Sequence, residues 1–142
     1  MTGKKSIFAT ALDAEAAFYE AIERGDLEGM MAVWAEDEEI ICVLPSGPRL
    51  AGYRSVREAW RRLFEGGPRL HLRVTQQSVT QNPFSAVHNN LEELTLVGEE
   101  RMSAAIVATN IYIRGPLGWR LIVHHASPAP PDSLDDVPKI LH

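Results

Sequence analysis

The sequence predicts an α+β domain, with three helices leading and a strand-rich half following. Three observations carry this. Between Ala11 and Phe64, apolar residues recur at helical spacing in three separate stretches. From Leu70 to Ser127, four extended stretches are divided by Asn82-Pro83, Gly98-Glu99-Glu100 and Gly115-Pro116-Leu117-Gly118. The chain has 142 residues, 45% of them hydrophobic, which suits one domain with a buried core.

Thr10 and Asp13 read as the capped start of the first helix, with Ala11, Ala14, Phe18, Ala21 and Ile22 as its apolar stripe. Gly25 stops it and Asp26 starts a short second helix with Leu27, Met30 and Trp34. Ile40 to Leu44 is a short strand, and Pro45-Ser46-Gly47-Pro48 a loop. Ser55 with Glu58 is expected to cap the third helix, whose stripe is Val56, Ala59, Trp60, Leu63 and Phe64. The four long stretches then form an antiparallel meander. In the last, strict alternation groups Leu121, Val123 and His125 on one face and Ile122, His124 and Ala126 on the other. Residues 1–128 are read as the domain and 129–142 as a Pro-rich tail, in which Val137, Ile140 and Leu141 are candidates for docking.

A net charge of −5 argues against nucleic acid or an anionic membrane as partner. Ten acids and one base lie between Asp13 and Glu39, and seven arginines and two acids between Arg49 and Arg73. These read as solvated helix faces of opposite sign. Cys42 is the only cysteine and lies in an apolar run, as a buried inert thiol would. No stretch approaches the roughly 20 apolar residues of a membrane span, and a cytoplasmic location is expected.

Ala35-Glu36-Asp37 after the second helix, Gly52 before the third, Thr109-Asn110-Ile111-Tyr112, and the run Trp119 to Ser127 stand in an order that resembles the SnoaL-like branch of the nuclear transport factor 2-like superfamily. The resemblance spans roughly residues 12 to 128. The last run also resembles the end of the calcium/calmodulin-dependent kinase association domain. This resemblance implies a strongly curved antiparallel sheet wrapped around three N-terminal helices, a cone-shaped cavity, and a homodimer joined through the outer sheet face. It does not imply one reaction, since members include isomerases, dehydratases, cyclases, transport factors and assembly domains.

Ketosteroid isomerase chemistry needs a carboxylate base, a tyrosine and a protonated acid. The resemblance places the base where Leu44-Pro45 stands, the tyrosine at Phe18 and the second acid on a stretch, Met102 to Arg114, that holds no Asp or Glu. Tyr19 is one residue off, a rotation of about 100° on a helix. A typical ketosteroid isomerase is therefore not expected. Histidine-based acid–base chemistry on an apolar or cyclic ligand is the alternative within enzymes. The association-domain resemblance puts Asn110 and Ala126 on the pocket side, hence His124 inward and His125 outward. His124 is the expected catalytic group. Asn110, Tyr112, Trp34, Tyr19, Trp60, His88 and Asn90 are the expected ligand contacts, although the aromatic residues serve equally as core. His88, Asn90 and Glu92 share a strand face, but spacing alone defines no metal geometry, and neither metal nor cofactor is expected. A non-catalytic dimeric interaction module, or an accessory subunit with a vestigial cavity, is the competing reading.

Overall fold

The computed structural model describes residues 7–130. Helix α1 (Ala11–Arg24) begins at Thr10, whose hydroxyl accepts the Asp13 amide at 3.0 Å. It ends at Gly25, held at φ 64°, where a side chain would be strained. Helix α2 (Leu27–Val33) is capped by Asp26, whose carboxylate accepts the Gly29 amide. Strands β1 (Ile41–Val43) and β2 (Arg49–Ala51) form a small hairpin before helix α3 (Tyr53–Gly66). The long strands are β3 (Leu70–Gln81), β4 (Ser85–Leu96), β5 (Ala104–Gly115) and β6 (Gly118–Pro128).

Helix α3 does not start at Ser55. A cap at Ser55 implies a start at Val56; the helix begins three residues earlier, at Tyr53, with Gly52 as N-cap and no side-chain cap. Gly52 sits at φ 94° and its amide donates to the Ile40 carbonyl, so the backbone turn decides the start. The sheet is also larger than a four-stranded meander. Its order is β2-β1-β6-β5-β4-β3, and β1 runs parallel to β6. Leu50 is only half-buried and β2 is three residues long, too weak a pattern to read in advance.

Two bulges reset which side chains face the helices. In β6, Ile111 pairs with Val123 but Tyr112 pairs with Leu121, leaving Ile122 as the extra residue. Leu121 therefore faces inward with His124 and Ala126, not with His125 as strict alternation requires. In β3, Thr75 pairs with Leu91 and Ser78 with Asn89, with Gln76 at φ 51° between them. The extra residue turns Gln77 inward.

The main core lies between the helices and the inner sheet face. Phe18, Met30, Trp34, Ile40, Trp60, Tyr112 and Leu121 are all buried in one cluster. Each such side chain contributes on the order of 1.5–3 kcal/mol by leaving water. A smaller cluster of Ile106, Ala108 and Ala126 lies further along β5 and β6. Some residues of the acidic and basic stretches form exposed ion pairs, such as Glu28 with Arg57 and Glu58 with Arg61 and Arg62, and these contribute little. Residues 131–142, including Val137, Ile140 and Leu141, lie outside the described residues. No described helix is long and apolar enough to cross a membrane.

Candidate functional site

A row of polar residues runs through the buried inner face. On α1, Glu15 and Tyr19 are one turn apart and both lie on the buried side. On β4, His88, Asn90 and Glu92 alternate inward; on β5, Asn110 and Tyr112 do the same. The β4–β5 register sets His88 opposite Asn110, and the β5–β6 register sets Asn110 opposite His124. Three strands and one helix thus bring these eight side chains to one place. The β3 bulge adds Gln77 as a ninth.

Glu15 is the hub. Its Oε2 faces His88 Nδ1 at 2.9 Å and accepts from Asn90 Nδ2 at 2.9 Å, while Oε1 accepts from Gln77 Nε2 at 2.7 Å. Burial raises the carboxyl's affinity for a proton, but the hydrogen bonds from His88, Asn90 and Gln77 outweigh it and hold Glu15 below the usual carboxylate range. An ionised carboxylate only accepts, so His88 Nδ1 carries its proton.

Tyr19 is the second hub. Its hydroxyl accepts from Asn90 Nδ2 and Asn110 Nδ2, each at 3.0 Å, and donates to Glu92 Oε2 at 2.7 Å. Burial and the neighbouring Glu92 push Tyr19 far above its ordinary value, so it stays a phenol. Burial, with Glu15 nearby and despite the bond from Tyr19, lifts Glu92 to about 7. Asn110 Oδ1 accepts from His124 Nδ1 at 2.6 Å. Burial lowers His124 to about 3, so its imidazole is neutral across the physiological range.

Two atoms of the cluster lack a partner. His88 Nε2 and the Tyr112 hydroxyl are fully buried and make no hydrogen bond of normal geometry. Their rings lie 5.0 Å apart, centroid to centroid. Burial, then the charge of Glu15, keeps Tyr112 protonated against a weaker opposing pull from the Asn110 side chain. Among the described residues, no three His, Cys, Asp or Glu side chains converge as a metal ligand set.

The expected contacts divide into two groups. Asn110, Tyr112, Tyr19, His88, Asn90 and His124 meet in the cluster, and His125 is exposed on the other face. Trp60 and Trp34 are packed in the core, Trp60 with its ring 6.2 Å from His124 and Trp34 bridged through its backbone to Leu121. Tyr19 reaches the cluster although it is one residue from Phe18, because the buried side of α1 is wide enough to enclose both. Glu15 and Gln77 escaped the sequence reading, and Glu92 entered it only as a metal ligand. Glu15 had a signal, an acid four residues after Ala11 and three before Phe18 on the apolar stripe. Gln77 had none, since its direction follows from the bulge. Cys42 is buried and pushed up to about 12, consistent with an inert thiol. A surface hollow of about 570 Å³ beside Glu36, Asp37 and Tyr53 involves none of these residues.

Three helices against a curved, mostly antiparallel six-stranded sheet, with a polar cluster on its inner face, define the nuclear transport factor 2-like class. Within it the chain belongs to the SnoaL-like domain family, whose family model matches residues 12–131. It is similar to a protein from Thiobacillus denitrificans provisionally described as a calcium/calmodulin-dependent protein kinase type II association domain. The two share 37% identity over 89% of this chain and 100% of that one, with a TM-score of 0.85. It is also similar to a protein from Streptomyces avermitilis provisionally described as a dehydratase of the same superfamily, at 31% identity over 82% of this chain and 91% of that one, TM-score 0.73. A protein of unknown function from Pseudomonas putida shares the fold at 20% identity, 84% of this chain, 83% of that one and TM-score 0.72. No curated protein matches the sequence.

Proposed function

We propose that this domain binds a small neutral ligand inside the sheet-and-helix cone and moves a proton on it, with His88 as the acid–base group and Glu15 as its positioning residue. The observation that carries this is the Glu15–His88 pair: a carboxylate 2.9 Å from Nδ1 orients the ring, and the buried Nε2 is left without a partner. A carboxylate that fixes the tautomer and leaves the other nitrogen bare is the arrangement a general base requires. His124 is the weaker candidate, because its Nδ1 is tied to Asn110 and burial holds it near 3. It serves instead to orient Asn110. Proton transfer of this kind fits the description of the Streptomyces avermitilis relative as a dehydratase.

The test uses cyclic β-hydroxy ketones in D₂O. The protein should accelerate α-deuteration or loss of water, and His88→Ala should reduce the rate by about 10² to 10⁴. Equal rates with and without His88 would exclude its role. Native mass spectrometry of freshly purified protein would identify a ligand carried through purification.

A second reading, assembly without catalysis, rests on the likeness to the Thiobacillus denitrificans protein and on the outer sheet face. Val87 and Val107 are partly exposed there, beside Leu91. In our reading this face pairs with a second copy, since a sheet face left to water is normally polar. Dimerisation is compatible with both functions, and only the rate measurement separates them.

A further inference from the structure

Resting on the acid–base reading above, we infer that His88 Nε2 and the Tyr112 hydroxyl together bind one hydroxyl group of a neutral alcohol, with Tyr112 as the residue that selects it. The argument starts from the two unpartnered atoms. Buried polar groups are almost always hydrogen-bonded, and leaving two adjacent ones unpaired costs several times what one such bond returns. Here both lie on the inner face, on neighbouring strands, with rings 5.0 Å apart. Their shared missing partner is a single small group.

The chemistry of that group follows from what each atom offers. With the donor to Glu15 on Nδ1, the tautomer in which His88 acts as a base presents Nε2 as a lone pair. Tyr112 is protonated and its O–H has no acceptor. One atom accepts and the other donates. A hydroxyl oxygen answers both, donating to His88 Nε2 and accepting from Tyr112. A ketone answers only Tyr112. A carboxylate has no proton for Nε2 and would lie beside the ionised Glu15 and close to Glu92. Of the charged groups in this cluster, none described is an arginine or lysine; the buried guanidinium of Arg120 donates to the Trp119 carbonyl and lies over Phe8. An anionic ligand therefore meets repulsion with no counter-charge.

The probes are cyclohexanol and cyclohexanecarboxylate, of similar ring size and opposite character. Binding is followed by ¹⁵N NMR of the His88 imidazole and by titration. Cyclohexanol should move the His88 Nε2 resonance, and cyclohexanecarboxylate should bind at least about tenfold more weakly. Tyr112→Phe, which removes one oxygen and keeps the ring, should weaken cyclohexanol about tenfold while leaving the His88 tautomer unchanged. The inference is overturned if the carboxylate binds as well as the alcohol. Unchanged affinity in Tyr112→Phe, or a site held by water that no alcohol displaces, would equally overturn it. The acid–base reading fails by a different result: a His88 Nδ1 that carries no proton in the wild-type protein, or a tautomer that Glu15→Gln leaves untouched.

Discussion

Tyr19 shows how much one oxygen can hold. It receives two amide hydrogens and gives one to a carboxyl, so Tyr19→Phe leaves Asn90, Asn110 and Glu92 each short of a buried partner. The expected loss is about 2–4 kcal/mol in urea unfolding, larger than for a typical single hydrogen bond. Tyr112→Phe should go the other way, neutral or slightly stabilising in the unliganded protein, because its hydroxyl has nothing to lose. Glu92 makes a pH prediction. Its folded value of about 7 lies above the ordinary 4.5, so the folded state holds a proton that the unfolded state has released between these limits. Stability from this group is full below pH 4.5 and falls as pH rises to 7. His124 acts oppositely, costing stability as pH falls from 6.5 towards 3. The two overlap in the wild type. Glu92→Gln keeps an acceptor for Tyr19 and removes only the first effect. Its stability relative to wild type should therefore climb between pH 4.5 and 7, by roughly 2–4 kcal/mol. A difference that stays flat with pH would refute the assignment.

Elements are set as much by backbone turns as by side-chain patterns. The start of α3 is decided by Gly52 at φ 94°, a conformation that costs an L-residue about 1–3 kcal/mol. Gly52→Ala should lower the melting temperature by several degrees, whereas Ser55→Ala, within the helix, should be nearly silent. A large loss at Ser55 would reinstate it as a cap. The bulges matter more for the site. Without the extra residue at Gln76 and Gln77, alternation along β3 would not send Gln77 to Glu15. Gln77→Ala should therefore spare the fold but loosen Glu15, which then loses one of the hydrogen bonds that keep it ionised. NMR titration of Glu15 should show its value rising.

At the scale of the whole molecule, the inner sheet face carries the polar cluster and the outer face carries the proposed contact between copies. Val107 is central on that outer face, opposite Ser127 on β6. Val107→Lys should leave the circular dichroism unchanged and convert the proposed dimer to a monomer in sedimentation at micromolar concentration. A wild-type protein that sediments as a monomer removes the dimer while leaving the inner-face chemistry intact. The exposed Arg61–Glu58 and Arg62–Glu58 pairs should contribute nothing that salt does not remove.

The sequence by itself determined the helices, the long strands and the order in which they come, because each has a strong local period and a local stop such as Gly25 or Gly115 to Gly118. Alternation also put His88, Asn90 and Glu92 on one face of β4, while the inward direction of Asn110 and His124 was what the family resemblance implied. Only the tertiary structure decided what those residues do. Glu15 becomes the hub through pairing with His88, 73 residues away, and Tyr19 reaches Asn110 across 91. The two bulges turn Gln77 and Leu121 to the inner face against the strict period, and β1 joins β6 in parallel from opposite ends of the chain. Local period reports which face a side chain leaves by. Which partner it meets there depends on register between distant strands, and register is settled by the packing of the whole core.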